Sequence, residues 1–471
     1  MKSENAPTFL RTLGTVENLY YLRQRIRPMH FSVVVEVDTN PSSESLRSAL
    51  AQLQLRHPLL SARIESRGDE RPAFHRADAP IPLTVGKESD TWQRIASAEL
   101  ARPFDPEVAP LVRAAVLPGE NSAHIVLTFY HAVSDGVSSM TVLRDLVAAL
   151  GGVTLAPRDV PLSMEELLAR TPGIPAPAEL LASLPEAAEP DDQMSPLKPV
   201  RPFDGTPPFV FSEALDPELT RRLVVRSKAE HTTVHTVLCA AATQVILGEP
   251  GNGDAFVRVL TPISLRHVID IAQDSGLYLG VARTGFPAAE TKDIWKLARA
   301  TGESIAPART ALSLATGSAA ASLFPVGSSA TAAAEVLEAA ASYEVEVTNV
   351  GVVDLGGPGS VHATAVWGPV DLNQFAGEKV IGVVTYNGSL RLALATYEDS
   401  PSFLSDLRSV LASAVAEPTS INLSAHSHLA GWGRVVPAWL PPQLSSRCQP
   451  AAPTINRGRY APAPSKPSVI S

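Results

Sequence analysis

Cysteine is almost missing from this chain: Cys239 and Cys448 are the two in 471 residues. Two cysteines make neither a disulfide framework nor a zinc cage, and Cys239 stands in an apolar helical run that reads as core. Blocks of one charge are missing too. The 39 basic and 48 acidic residues leave a net charge of −9, and without a long Lys/Arg run an electrostatic nucleic-acid binder is not expected. The longest apolar stretch, Val237 to Leu247, is too short to span a bilayer and carries Thr243 and Gln244. Met1 to Leu10 shows no apolar core behind a basic start, so a signal peptide is not expected and a soluble, cytoplasmic protein is.

Common enzyme signatures are absent as well. No Walker loop, Rossmann glycine fingerprint or His-Glu-x-x-His occurs. The nearest approach to a nucleophile elbow, Gly136-Val137-Ser138-Ser139-Met140, lacks the second glycine.

Proline, by contrast, is abundant and uneven. Twelve of the 41 prolines lie between Pro157 and Pro208 and eight between Pro437 and Pro467. Such stretches read as connector and tail, because proline fixes φ and removes a backbone donor. On either side the pattern alternates between strands and helices. Strands are predicted at Phe31–Val37, Leu111–Leu117 and His124–Tyr130, with an amphipathic helix over 42–57 and another from Gly136 onward. The second half reads as helices at 217–229, 232–247, 290–306, 329–342 and 401–415. Its strands are expected at 257–260, 343–350, 361–367, 379–385 and 389–396. The expected organisation is a first lobe over 1–156, a crossover over 157–208, a second lobe over 209–425 and a mobile tail over 426–471.

One segment holds titratable residues where a strand meets a loop: Tyr130-His131-Ala132-Val133-Ser134-Asp135-Gly136. Taken as residues alone it has three readings. His131 and Asp135 as a metal half-site would need third and fourth ligands that the sequence does not place. As structure, His131 ends a strand and Asp135 caps the following helix. As chemistry, His131 is a general base on a rigid strand end, where scaffolds commonly present function. Ser134, Ser138 and Ser139 read as capping or solvent-facing hydroxyls.

The segment resembles the His-His-x-x-x-Asp-Gly motif of the condensation-domain and chloramphenicol-acetyltransferase-like acyltransferase superfamily, with Tyr130 at the first histidine. Further stretches are similar to that family in the same order. They are Arg56 to Ile64, Arg102-Pro103-Phe104-Asp105-Pro106 with Pro110 to Ala114, Thr261-Pro262-Ile263-Ser264-Leu265-Arg266, and Thr348-Asn349-Val350-Gly351. Within the superfamily the chain looks most like the polyketide-associated (Pap-type) acyltransferases.

That resemblance implies an α/β (α+β) fold of two chloramphenicol-acetyltransferase-like lobes in a V-shaped pseudo-dimer, with the active site in the interlobe channel. It implies transfer of an acyl group from a thioester of an acyl carrier protein or CoA to a small-molecule hydroxyl, forming an ester in polyketide or lipid-type secondary metabolism. The alternatives are a standalone nonribosomal-peptide condensation enzyme forming amides and a non-catalytic carrier-docking protein. His131 is then the catalytic base, while Asp135, Gly136 and Arg266 hold the motif in place. Asn349, Tyr130 and Ser134 are oxyanion or channel candidates. No metal and no resident cofactor are expected, nor a nucleic-acid partner or membrane span, and the protein is expected to be a monomer. Arg23, Arg25 and Arg27, and Arg221 with Arg222, are candidate patches for an acidic carrier.

Overall fold

The fold of the chain was described from a computed structural model, which covers residues 8–416 apart from 69, 88, 184–191, 254, 268, 270, 272, 273 and 326. The tail expected over 426–471 lies outside the described residues.

Two mixed sheets organise the molecule. The first has five strands in the order Ala363–Val370, Phe31–Val37, Ala123–Phe129, Val112–Pro118 and Leu83–Val85. Helices Ser43–Arg56 and Gly136–Leu150 cover one of its faces. The reason is periodicity: Phe31, Val33, Val35 and Val37 alternate onto one face, where they meet Leu46, Leu50 and Leu53 of one helix and Leu143, Leu146 and Val147 of the other. Ser42 caps the first helix through the Ser45 N–H, as its position ahead of Glu44 predicts.

The second sheet has six strands, ordered Leu279–Pro287, Phe256–Ser264, Val345–Val352, Lys379–Tyr386, Ser389–Thr396 and Phe209–Leu215. Helices Pro217–Ala229, Val234–Gly248 and Phe403–Ala416 bury their apolar stripes on it, and Cys239 lies within that core at 1% exposure. A third, three-stranded antiparallel sheet joins Thr8–Thr12, Ala73–Arg76 and Ala62–Glu65.

Three expectations change. The strand Ala363–Val370, placed by sequence order in the second lobe, pairs antiparallel with Phe31–Val37 of the first sheet. Val33, Val34 and Val35 are all wholly buried, so both faces of that strand are covered and its open edge is satisfied by a strand from the other half. The boundary near 208 therefore divides the sequence and not the sheets.

The proline-rich crossover is also more than a surface connector. It contains helices Met164–Arg170, opened by a Ser163/Glu166 capping box, and Pro177–Ala182, where Pro177 sits in the first turn that tolerates it. Met164, Leu168 and Leu180 are buried in a core shared with Tyr130, Leu277 and Leu314. Finally, the strand predicted to stop at Leu260 runs on to Ser264. Its parallel neighbour pairs with it only at Val259 and Leu260, so Pro262 falls where one side of the strand is open.

Candidate active site

His131 is the second residue beyond the strand Ala123–Phe129, with Tyr130 between. Phe129 and His131 project to the same side, in keeping with the two-residue period, and Phe31 contacts both, stacked on Phe129 at 5.5 Å between ring centroids and tilted against His131 at 4.9 Å. Tyr20 meets the imidazole edge-on at 5.0 Å. The ring is therefore clamped between aromatics.

Its Nδ1 lies 3.1 Å from the Ser134 carbonyl oxygen. A carbonyl only accepts, so Nδ1 carries the proton and Nε2 is left as a lone-pair acceptor in the neutral ring. Burial lowers the imidazole pKa below its ordinary value, although the Asp135 charge and the backbone acceptors oppose this. The neutral tautomer is thus the resting form at neutral pH.

Asp135 holds the loop from three directions. One oxygen accepts the Ser138 N–H at 2.7 Å and caps the helix Gly136–Leu150, and the other accepts the Tyr278 N–H at 2.8 Å. Arg266 Nη1 reaches the two oxygens at 3.2 and 3.1 Å. Burial pushes this carboxyl pKa up, but the Arg266 charge and the two N–H donors outweigh it and hold the group below the usual carboxylate range. Ser138 belongs to the same network. Its hydroxyl donates to the Gly276 carbonyl at 2.6 Å and accepts from Arg266 Nη2 at 2.7 Å. It is wholly buried, in contrast to the exposed or capping role read from sequence. Arg266 also lies 5.0 Å over the Tyr278 ring.

Gly136 explains itself by contact. A Cβ there would lie 2.9 Å from Pro369 Cγ and 3.0 Å from Val350 Cγ1, so the loop approaches strands of the second half as only glycine permits. Asn349 stands on one of those strands, at a bulge where Gly351 takes φ +82°. Its Oδ1 accepts the Gly351 N–H at 2.8 Å, which leaves the NH₂ end as a donor.

His131, Asp135, Gly136 and Asn349 line one pocket enclosing about 1020 Å³ with its open mouth, walled from both halves of the sequence. Tyr130 and Ser134, taken as channel candidates, do not line it. Tyr130 alternates to the opposite side from His131, is 1% exposed, and donates to the Tyr21 carbonyl at 3.2 Å. Ser134 contributes its carbonyl, while its hydroxyl turns to the Asp135 carbonyl.

The charge patches are also redistributed. Arg23 is buried at 2% exposure and lines the pocket, and Arg27 is paired with Glu338, so the run 23–27 is not a free basic face. Arg221 is exposed but forked onto Glu218. Among the described residues no group of three His, Cys, Asp or Glu side chains is placed to hold a metal, and no helix is long and apolar enough to cross a membrane.

Residues 22–152, which contain the His131 loop, match the family model of the condensation domain. Over the fold as a whole, the chain superimposes on polyketide synthase associated protein 5 from Mycobacterium tuberculosis with a TM-score of 0.60 at 17% identity, covering 87% of this chain and 99% of that one. The fold is that of the condensation-domain and chloramphenicol-acetyltransferase-like superfamily. The chain also superimposes on the trichothecene 15-O-acetyltransferase from Fusarium sporotrichioides, with a TM-score of 0.58, 14% identity and coverage of 85% and 95%. Tyrocidine synthase 3 from Brevibacillus parabrevis is 27% identical over 252 residues, which is 49% of this chain. The chain spans 4% of that protein's length.

Sequence reasoning did not single out Tyr20, Phe31, Gly276 or Tyr278, although all four shape the site. Their contacts with the His131 loop run across distant segments and leave no local spacing to read.

Proposed function

We propose that the chain is an acyltransferase that moves an acyl group from a thioester, on an acyl carrier protein or CoA, to a hydroxyl acceptor. The observation that supports this most is the His131 geometry: a neutral imidazole, proton on Nδ1, with Nε2 as base in a pocket. A hydroxyl is a weak nucleophile until its proton is removed, and a positioned base contributes about 10²–10⁴-fold. In the reaction Nε2 takes the hydroxyl proton as the oxygen attacks the thioester carbonyl. The new C–O bond forms, the C–S bond breaks, and the imidazolium returns the proton to the leaving thiolate, giving an ester and a thiol. Among the described residues no activated serine or cysteine accompanies His131, and burial raises the Cys239 thiol to about 12, so direct transfer is preferred to an acyl-enzyme. The Asn349 NH₂ is the proposed donor to the oxyanion. Asp135 and Arg266 position the loop.

The test is His131→Ala, followed by ester formation from acyl-CoA and from acylated carrier protein by intact mass spectrometry. A loss of about 10²–10⁴ in turnover is expected, and unchanged turnover sinks the assignment. Amide formation is the second reading, favoured by the likeness to tyrocidine synthase 3. Hydroxyl and amine acceptors offered in competition separate the two.

A further inference from the structure

The pocket extends past His131 to an acidic end that the acyl-transfer chemistry does not use. Glu346 and Asp371 line it, with Asn373, Phe375 and Tyr20. From Val350, which packs against Gly136, Glu346 lies four residues back along one strand, about 13 Å. From Pro369, which also packs against Gly136, Asp371 lies two residues on, about 7 Å of extended chain. The acids therefore stand about 7 to 13 Å of chain from the Gly136 contacts, within the length of a small molecule.

The charges there do not balance. Glu378, 1% exposed and not on the pocket wall, is fully engaged: it accepts Tyr343 Oη–H at 2.8 Å and the N–H groups of Asn373 and Phe375 at 3.0 and 3.1 Å. Arg27 is paired with Glu338. Arg23, from the helix Thr15–Gln24, gives two of its N–H donors to Met29 Sδ and the Asn373 carbonyl, neither of them a carboxylate, and its single charge offsets at most one carboxylate. Glu346 accepts from Asn373 Nδ2 at 2.8 Å. Asp371 Oδ1 is buried and has no hydrogen-bond partner among the described residues. A buried carboxylate oxygen without a donor is costly, and a ligand that donates there recovers that cost. Burial and the neighbouring carboxylates push Asp371 up to about 7 and Glu346 well above its ordinary range, and a bound cation would draw both back down.

We infer that this end of the pocket is a subsite for an organic ammonium group carried by the substrate, held by Glu346 and Asp371 beside the rings of Tyr20 and Phe375. The inference deepens the acyltransfer reading: the molecule whose hydroxyl meets His131 carries an amine at its far end. An ammonium fits better than a metal ion, because among the described residues no group of three His, Cys, Asp or Glu side chains is placed to hold a metal, while two carboxylates beside aromatic rings suit an alkylammonium.

The test is equilibrium binding by calorimetry with two probes: a six-carbon ω-amino alcohol and the seven-carbon neutral alcohol of the same length. Wild type is expected to bind the amino alcohol about tenfold or more tightly. The double variant Glu346→Gln/Asp371→Asn should lose that preference while keeping its affinity for the neutral alcohol. Asp371→Asn alone, which removes a charge without removing an existing hydrogen bond, should weaken the preference several-fold and guards against a misfolded double variant. Affinity for the amino alcohol should rise from about pH 6 to about pH 8 as the acids ionise, with no such trend for the neutral probe. Equal affinity in wild type, or a preference that survives the substitutions, overturns the subsite. His131→Ala should retain the preference, so the subsite and the base assignment fail separately.

Discussion

Asp135 and Arg266, 131 residues apart, meet at 3.1 Å and tie the loop that carries His131 to the strand end of the opposite sheet. The Asp135 side chain is 4% exposed and that of Arg266 17%, so their removal is felt in stability as well as rate. Asp135→Ala also deletes the cap at Ser138 and the acceptor for Tyr278. A loss of about 3 kcal/mol is expected, the lower end of what breaking a buried pair costs, because Arg266 keeps some contact with water. Urea unfolding of Asp135→Ala, Arg266→Ala and the double variant checks it. The double variant should cost less than the two single losses added, since the second change no longer strands a partner. Full loss of transfer with unchanged stability would instead place Asp135 in the chemistry.

Gly136→Ala tests the contact between the halves without altering charge. The added methyl would lie 2.9 Å from Pro369 Cγ and 3.0 Å from Val350 Cγ1, well inside van der Waals contact, and both residues belong to strands that cannot give easily. Overpacking of this kind costs about 1–3 kcal/mol. Turnover should fall more than the stability loss explains, because the loop that shifts holds His131. Comparing kcat with the unfolding midpoint of the same variant separates the two effects.

Much of this was legible in local sequence, and the rest was not for a physical reason. Elements with a strong period, such as Phe31–Val37, Ser43–Arg56, Pro217–Ala229 and Ser389–Thr396, were placed to within a residue or two. Asp135 as a cap and Gly136 as a close approach are local properties and could be read directly. The crossover misled because its prolines sit between short helices whose few apolar residues carry no clear period. Tyr130 misled because position in a motif does not tell which side of a strand end a residue faces. Tyr20, Tyr278 and the Glu346–Asp371 end are products of tertiary assembly. Nothing in the spacing of residues 20, 278, 346 and 371 brings them to one pocket.

The pH dependence of transfer follows from His131. Burial lowers its pKa below the ordinary 6.5, so the base is already neutral at pH 7. The profile of kcat/KM should rise from acid to a plateau, with an apparent midpoint below about 6.5. Ser134 contributes its backbone carbonyl, so Ser134→Ala should leave that midpoint in place. A midpoint at or above 7 would mean that the imidazole is held as a cation.

Asn349 makes a sharper kinetic prediction. If its NH₂ meets the oxyanion, Asn349→Ala should lower kcat about 10²–10³-fold with little change in KM, since the charge it stabilises exists only in the transition state. The variant also removes the acceptor for the Gly351 N–H and so costs some stability. Asn349→Asp keeps that acceptor and deletes the donor. Loss of rate in both variants supports the oxyanion role, and recovery in Asn349→Asp would reduce Asn349 to a strand bulge cap.

The buried acids give stability an unusual slope with pH. Asp371 and Glu378 both stand at about 7 in the fold, raised first by burial, against ordinary values near 4 in the unfolded chain. The folded state therefore binds protons more tightly than the unfolded one. Their contribution is fully present below about pH 4 and is lost as pH rises through about 7. Arg23 opposes the shift at Glu378, and Glu346, with its own raised pKa, titrates with the pair, so the loss should be gradual. Other groups pull the opposite way at lower pH. Asp145, held at about 2 by His57 and Arg56 against the push of burial, loses its contribution as pH falls from about 4 to about 2. Urea midpoints measured at about pH 5, 6, 7 and 8 should decline across that range, and Asp371→Asn should flatten the decline because it cannot ionise. A slope unchanged in Asp371→Asn would show that this carboxyl is already ionised in the fold, with a donor supplied from elsewhere.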